Sequence, residues 1–318
     1  MTTKRPISWF LTDQGRAFSF AFVTGAGIAA TTARFAPHTF FIEKYKDFVH
    51  NYHNGKPVDL PLELKNRYNK CLEILKVPEH QKKLYSPFSV FGYDLFSAGS
   101  WYTRNGAIVG IPVHFTYKTL NDIKEQDIKV NQKKVDWESE AGMKLADSIL
   151  LPEKVQEFAI CREILSTQNI KLYLQSTYPF VCMFFGYNVA QKANKRLNLY
   201  SLPASARCVM YSLVASFSMG LYFLLHDYTE VYYETVVDKK LCEVNPEFVE
   251  CGVTFYDKML KRNQALRELM GKEGESKYTK FGNENFGVRQ PRIALVHRKQ
   301  FFQNQLEQKE GEDGKEET

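Results

Sequence analysis

Two stretches decide the fold of this chain: Leu172 to Gln191, LYLQSTYPFVCMFFGYNVAQ, and Cys208 to Leu225, CVMYSLVASFSMGLYFLL. Neither contains a charged residue, and only sixteen residues separate them. A helix needs roughly 20 residues to cross a hydrocarbon core of about 30 Å, so both stretches are long enough. Buried helices of a soluble α-protein are the alternative, but these usually carry a polar face. We therefore predict transmembrane helices at 172–191 and 208–225.

A third uncharged run, AFSFAFVTGAGIAATTA, extends from Ala17 to Ala33 between Arg16 and Arg34. Its seventeen residues are close to the lower limit for a span, although the flanking arginines can extend their charged ends to the two interfaces. A cleaved signal or transit peptide is the alternative, because a basic start precedes an apolar middle and small residues. We predict a retained first span at 17–33, after a basic segment at 1–16.

Small residues recur at every fourth position of each run. They are Ala21, Gly25, Ala29 and Ala33 in the first, Cys182, Gly186 and Ala190 in the second, and Ser212, Ser216 and Gly220 in the third. This spacing places them on one helix face, where backbones can approach closely in lipid. The faces predict a bundle of the three spans or contact with a partner helix. Chance is the alternative, since small residues are common in membrane helices.

The loop at 192–207 between the second and third spans is basic. It contains Lys192, Lys195, Arg196 and Arg207 and no acidic residue. By the positive-inside rule this loop faces the cytosol, or the matrix if the membrane is the inner mitochondrial one. Three spans would place the N-terminal segment on the same side and both large soluble segments on the opposite side.

The average composition conceals these runs. The 318 residues have a mean hydropathy of −0.36 and a net charge of +6, values typical of a soluble protein, which exclude a largely disordered or collagen-like chain. Six cysteines without a C-x-x-C pair fit reduced thiols better than a disulfide framework or a zinc site. A basic chain is compatible with nucleic acid, but no recognition helix or ribonucleoprotein motif occurs, so we predict no nucleic-acid partner.

The segments outside the runs have patterns of folded structure. Region 34–171 combines helical spacing with strand-like pieces at Tyr85–Tyr93 and Ala107–Phe115, which predicts a small mixed α/β domain. Region 226–306 is predicted to be helical, with an amphipathic helix that begins after Asn245 and packs on the α/β domain. The acidic tail at 307–318 has no apolar period and is predicted to be disordered.

The sequence contains no recognisable catalytic or metal-binding motif. There is no G-x-S-x-G or phosphate-loop motif, and no histidine pair has a further ligand at a suitable distance. We therefore predict no catalytic residue, no metal site and no cofactor. One cluster supports an alternative function: His226, Asp227 and Glu230, directly after the third run, together with Cys161, would suit a membrane enzyme or proton-handling protein.

Several strings resemble the transmembrane protein 177 family of the mitochondrial inner membrane. They are Ile108–Pro112 (IVGIP), Val135–Gly142 (VDWESEAG), Glu157–Ile164 (EFAICREI) and Cys251–Asn283 (CGVTFYDKMLKRNQALRELMGKEGESKYTKFGN). The departures from the family are a longer lysine-rich linker at Tyr117–Lys134 and the acidic tail.

The resemblance implies a multi-pass protein of the mitochondrial inner membrane that assists cytochrome c oxidase assembly. Members of the family associate with newly made oxidase subunit 2, with its dedicated membrane chaperone and with copper-delivery proteins, and help to balance the chaperone's level. The family supplies no catalytic residues. From the residues alone, the sequence predicts a membrane-anchored interaction protein; the organelle and the oxidase come only from the resemblance.

Overall fold

A computed structural model of the chain describes residues 9–124, 128–287 and 289–316. These residues are mostly helical, with small sheets. The chain separates into two units: a helical unit, formed by residues 9–38 and Ile170–Glu230, and an α/β unit, formed by Thr39–Asn169 and residues 231–316. The prediction of a helical protein with a small mixed α/β domain is confirmed at this level.

Within the described residues the α-helices are, in chain order, α1 (Asp13–Phe35), α2 (Ile42–Val49), α3 (Leu62–Ile74), α4 (Glu79–Lys82), α5 (Leu120–Lys124), α6 (Glu140–Ile149), α7 (Glu153–Thr167), α8 (Lys171–Arg196), α9 (Ala204–Val244), α10 (Phe248–Met270), α11 (Lys272–Lys277) and α12 (Leu295–Glu316). The strands in the same residues are β1 (Tyr52–His53), β2 (Lys56–Pro57), β3 (Tyr85–Val90), β4 (Phe96–Gly99), β5 (Ala107–Pro112), β6 (Lys129–Val130) and β7 (Lys133–Lys134).

Each of the three uncharged runs lies inside one helix, α1, α8 or α9. Of the helices in the described ranges, α9 alone is long and apolar enough to cross a membrane: an 18-residue window has a mean hydropathy of 1.8, and none of that window is buried within the chain. The run in α1 is shorter, and Gln175, Asn188 and Gln191 lower the hydropathy of the run in α8. The additional spans at 17–33 and 172–191 therefore stay predictions.

Helix α9 does not end where the third run ends. Its 41 residues continue beyond Leu225 into the α/β unit as far as Val244. The sequence pattern predicts a span at 208–225 and a separate helical region after it, because charged residues begin at Asp227. Charge does not stop a helix, and no glycine or proline occurs between Leu221 and Val244. The third run and the region after it are therefore one continuous helix.

The α/β unit is organised around β5, the central strand of a three-stranded sheet. β5 pairs in parallel with β3, where Tyr85 lies opposite Ala107, and antiparallel with β4, where Phe96 lies opposite Gly110. Every residue of β5 is buried because its alternate side chains enter different clusters: Val109 packs with α3 and α7, and Ile108 packs with α2. Both predicted strands are confirmed, and they end earlier than expected, at Val90 and Pro112.

Helix α10 is the predicted amphipathic helix of the C-terminal region. The Asn245 side-chain oxygen accepts the N–H of Glu247 at 3.0 Å just before the helix begins, and the helix ends at Gly271, whose φ of +60° suits glycine. One face contacts α6 and α7, and another contacts α12. The prediction that this helix packs on the α/β domain is confirmed.

Helix α12 extends to Glu316, so residues 307–316 are helical. Disorder from Glu307 onward is the prediction from the sequence, because that tail lacks an apolar period. The prediction is wrong for these residues, because the tail continues a helix that Phe302 holds in the core. Residues 317 and 318 lie outside the described ranges.

The core of the α/β unit is aromatic where α7, α10 and α12 meet. The ring of Phe158 lies 5.8 Å from Phe248, 5.6 Å from Phe255 and 5.4 Å from Phe302, between centroids. Phe302 is fully buried and stacks on Tyr256 at 5.7 Å. Because α12 enters the core through this ring, Phe302 is its main apolar attachment.

We expect Phe302→Ala to lower the free energy of unfolding by about 3–5 kcal/mol, because it removes a buried ring and leaves a cavity. The matched control is Phe281→Ala, since Phe281 is 73% exposed in the same unit and its loss should change the free energy by less than about 0.5 kcal/mol. Denaturant unfolding of the detergent-purified protein, followed by near-ultraviolet circular dichroism, measures both. Equal unfolding midpoints for the two variants would contradict this packing.

Candidate functional site

The helical unit contains all ten small residues that the sequence analysis selected, and α1 and α8 contact each other closely in it. The two helices approach closely at Gly27, which is buried: a β-carbon there would lie 2.7 Å from the Phe180 ring and 3.3 Å from its Cα. Ring contacts of Phe20 with Phe184 and Tyr187, at 6.1 and 6.2 Å, continue the same interface. Close packing on this face of α1 therefore depends on Gly27, a residue that the sequence analysis did not select.

The small-residue face of α1 is open. Ala21, Gly25, Ala29 and Ala33 are all exposed, and a β-carbon at Gly25 would have no neighbour within 4 Å. Two glycines two positions apart point to different sides of a helix, so spacing could not determine which one meets α8. The face that the sequence analysis selected is thus unoccupied within the chain.

The small residues of α8 face inward. Cys182 and Gly186 are buried and Ala190 is half-buried. A β-carbon at Gly186 would lie 2.5 Å from the Ser218 hydroxyl oxygen and 3.7 Å from Val214 of α9. The absence of a side chain at position 186 lets α8 and α9 approach each other.

The small residues of α9 face outward, like those of α1. Ser212, Ser216 and Gly220 are exposed, and nothing lies within 4 Å of a β-carbon at Gly220. Helix α9 meets α8 through a different face, which contains Val214 and Ser218. Two of the three selected faces are therefore free surfaces on apolar helices.

An open cavity of about 580 Å³ lies in the helical unit between the inward faces. Its walls include Val23 of α1, Cys182 and Gly186 of α8, and Val214 and Ser218 of α9, and none of the lining residues is charged. A cavity with so apolar a lining fits an apolar group.

A polar cluster joins the three helices at one end of the helical unit. From the end of α1, the Arg34 guanidinium donates to the Tyr222 hydroxyl at 3.0 Å and to the Gln175 side-chain oxygen at 3.2 Å. It also lies 2.6 Å from Nε2 of His226. For the guanidinium to donate to this nitrogen, the imidazole must be neutral and accept at Nε2. Its proton is then on Nδ1, which lies 3.4 Å from Oδ1 of Asp227.

The same cluster includes Glu230. Its two carboxylate oxygens accept from Lys171 at 3.0 Å and from Gln175 at 2.8 Å. The structure thus brings together His226, Asp227 and Glu230, the group on which the alternative function rests. It adds Arg34, which flanks the first uncharged run, and Gln175, which lies within the second. Because these contacts link groups from α1, α8 and α9, the cluster fixes the three helices relative to one another.

Cys161, the fourth residue of the alternative function, belongs to the α/β unit. It is fully buried, and its Sγ lies 4.0 Å from the Cys71 carbonyl oxygen. Burial, and then the neighbouring Cys71, raise the pKa of the Cys161 thiol. A reactive cysteine needs a lowered pKa and access, so this thiol has the properties of a packed core residue.

His114 is a buried histidine of the α/β unit. Burial, followed by the nearby charge of Arg262, lowers the pKa of His114 to about 3, so the ring is neutral at physiological pH. Within the described residues, no three His, Cys, Asp or Glu side chains come together as metal ligands would.

The class of protein defined by these features is a helical membrane protein, with an α/β unit and an apolar helix able to cross a bilayer. The family described as Transmembrane protein 177 matches residues 86–305, and this chain belongs to that family.

Three relatives with that name illustrate the similarity. The Xenopus laevis protein is 28% identical over 281 residues, which cover 87% of this chain and 90% of the relative. The Rattus norvegicus protein is 31% identical over 229 residues, and the Homo sapiens protein is 29% identical over 232; each comparison covers 72% of this chain and 73% of the relative. No solved structure matches the chain significantly. The family resemblance predicted from the sequence is confirmed.

We expect Gly27→Val to destabilise the packing of α1 on α8 by about 1–3 kcal/mol, because the added methyl groups would collide with the Phe180 ring and backbone. Gly25→Val is the matched control, since it carries the same cost in helix propensity but meets open space. Thermal unfolding of both purified variants in the same detergent measures the difference. Equal losses of stability would show that α1 is not held through Gly27.

Proposed function

We propose that this protein is a non-enzymatic accessory factor of cytochrome c oxidase assembly, anchored in the mitochondrial inner membrane by three transmembrane helices. The observation that carries the proposal is the pair of open small-residue faces on α1 and α9, which suit contact with helices of other membrane proteins. Membership of the Transmembrane protein 177 family supports it.

The exposed apolar side chains of α1 and α8 support three spans. They include Phe18, Phe22 and Ile28 of α1 and Val181 of α8. So extensive an apolar surface is stable in lipid and costly in water. The polar cluster also joins the end of α1, the start of α8 and the middle of α9, an arrangement that suits three helices side by side in a bilayer.

The orientation follows from the basic loop at 192–207. With this loop in the matrix, the polar cluster lies at the opposite end of the spans, toward the intermembrane space. The chain passes between the helical unit and the α/β unit at three places: after His38, before Ile170 and after Glu230. All three connections then lie on the intermembrane-space side, where the α/β unit would be available to soluble partners.

The partners we propose are newly made oxidase subunit 2, its dedicated membrane chaperone and the copper-delivery proteins that act on that subunit. The two membrane partners would pack on the open faces of α1 and α9. The groups of the polar cluster contact one another across the three helices. These contacts favour a structural role for the cluster over a catalytic one.

Affinity purification of the tagged protein from mildly solubilised mitochondria should recover subunit 2 and its chaperone. The double variant Gly25→Val and Gly220→Val should recover several-fold less of both, because branched side chains would cover the open faces. The matched control is Ile28→Val with Leu213→Val, which keeps branched apolar side chains at exposed positions of the same helices and adds no side chain at either glycine. Quantitative mass spectrometry gives the recoveries; absence of both partners from the wild-type sample would overturn the proposal.

A further inference from the structure

An aromatic patch formed by Phe40, Phe41, Phe48 and Phe91 lies on the surface of the α/β unit. Phe40 is 74% exposed, Phe48 85% and Phe91 77%. The backbone N–H of Phe91 donates to the carbonyl of Val49 at 3.2 Å, so Phe91 lies beside the end of α2 that carries Phe48. Monomeric soluble proteins rarely leave so many phenylalanines exposed next to one another.

The patch is built on a rigid support. Ile42 of α2 is buried in a cluster with Phe88, Val90, Ala98 and Ile108 of the sheet, and Tyr45 and Val49 pack on that cluster. Since residues 42, 45 and 49 share the inner face of α2, Phe41 and Phe48, seven positions apart, share a flank of the helix that is open. The exposed rings are thus displayed by a packed element.

Lys44 is the basic residue beside the exposed rings of α2. It lies on the flank of Phe41 and Phe48, with its ammonium 5.6 Å from the centre of the Phe41 ring. The two acidic residues of the helix, Glu43 and Asp47, lie on its outward face, where Glu43 pairs with Lys46 at 3.4 Å. Exposed aromatic rings beside a lysine are typical of a helix that lies in a bilayer interface, where the rings enter the lipid and the ammonium reaches phosphate.

The position of the patch in the chain favours lipid over a protein partner. Phe40 follows Phe35, the last residue of α1, by five residues, and a tight helical turn at Ala36–His38 shortens the connection. A chain of five residues spans at most about 18 Å. If α1 crosses the membrane, the patch is therefore tethered close to the lipid headgroups.

We propose that this aromatic patch inserts into the interface of the phospholipid bilayer and rests the α/β unit on the membrane surface. The inference depends on the proposed function in one respect, namely that α1 spans the membrane. The ligand is the acyl and glycerol region of phospholipid, with a phosphate accepting from Lys44.

The experiment places the photoreactive residue p-benzoyl-phenylalanine at position 48 or 91 of the full-length protein. The protein is reconstituted into vesicles of phosphatidylcholine with a minority of phosphatidylglycerol and illuminated, and intact-protein mass spectrometry detects phospholipid adducts. Position 22 is the internal reference, because Phe22 is 67% exposed on α1. Position 281 is the matched control, since Phe281 is as exposed as Phe40 but lies 51 residues along the chain beyond Glu230.

The proposal predicts phospholipid adducts at positions 48 and 91 with yields similar to that at position 22 and several-fold above that at position 281. Adducts at 22 without adducts at 48 and 91 would overturn the proposal while leaving the first span intact. A crosslink from 48 or 91 to a second copy of the chain would overturn it in favour of a protein interface. Absence of adducts at 22 as well would reject the first span itself, and with it the proposed three-span anchor.

Discussion

The constraint on which this structure depends is that its apolar helices cannot be covered by the chain itself. The apolar window of α9 has a mean hydropathy of 1.8, and no part of it is buried, although the α/β unit has a complete core of its own around β5 and Phe158. Burying apolar surface contributes roughly 25 cal/mol per Å², so an uncovered helix of this kind needs lipid or a partner. The two units differ in this respect: the α/β unit buries its apolar residues within the chain, whereas the apolar window of α9 is left uncovered.

Within the helical unit, Arg34 links the three apolar helices. A charged group among apolar helices is costly unless it is hydrogen-bonded, and Arg34 has its partners on α8 and α9, namely Gln175, Tyr222 and His226. Glycines then allow the backbones to come close, at Gly27 against Phe180 and at Gly186 against Ser218. The faces left open, on α1 and α9, are the ones available to other membrane proteins.

Sequence patterns were sufficient for the elements and insufficient for their partners. Hydrophobic periodicity located α10 and the strands β3 and β5, and Gly271 marked the end of α10. The charge pattern does not show that α9 continues without a break through Leu225, because charged side chains change the solvent around a helix without breaking it. Spacing alone could not choose between Gly25 and Gly27, since the choice depends on where Phe180 lies in three dimensions. The pairing of Arg34 with His226 joins residues 192 positions apart and leaves no local signal.

We propose that α9 crosses the mitochondrial inner membrane from the matrix, where the basic loop lies, to the intermembrane space, where the C-terminus lies. Protease protection of a C-terminal tag measures this orientation, in intact mitochondria and in mitoplasts whose outer membrane has been opened. With this orientation the tag survives in intact mitochondria and is digested in mitoplasts. A tag that is digested in intact mitochondria, or that survives in mitoplasts until detergent is added, would overturn the proposal.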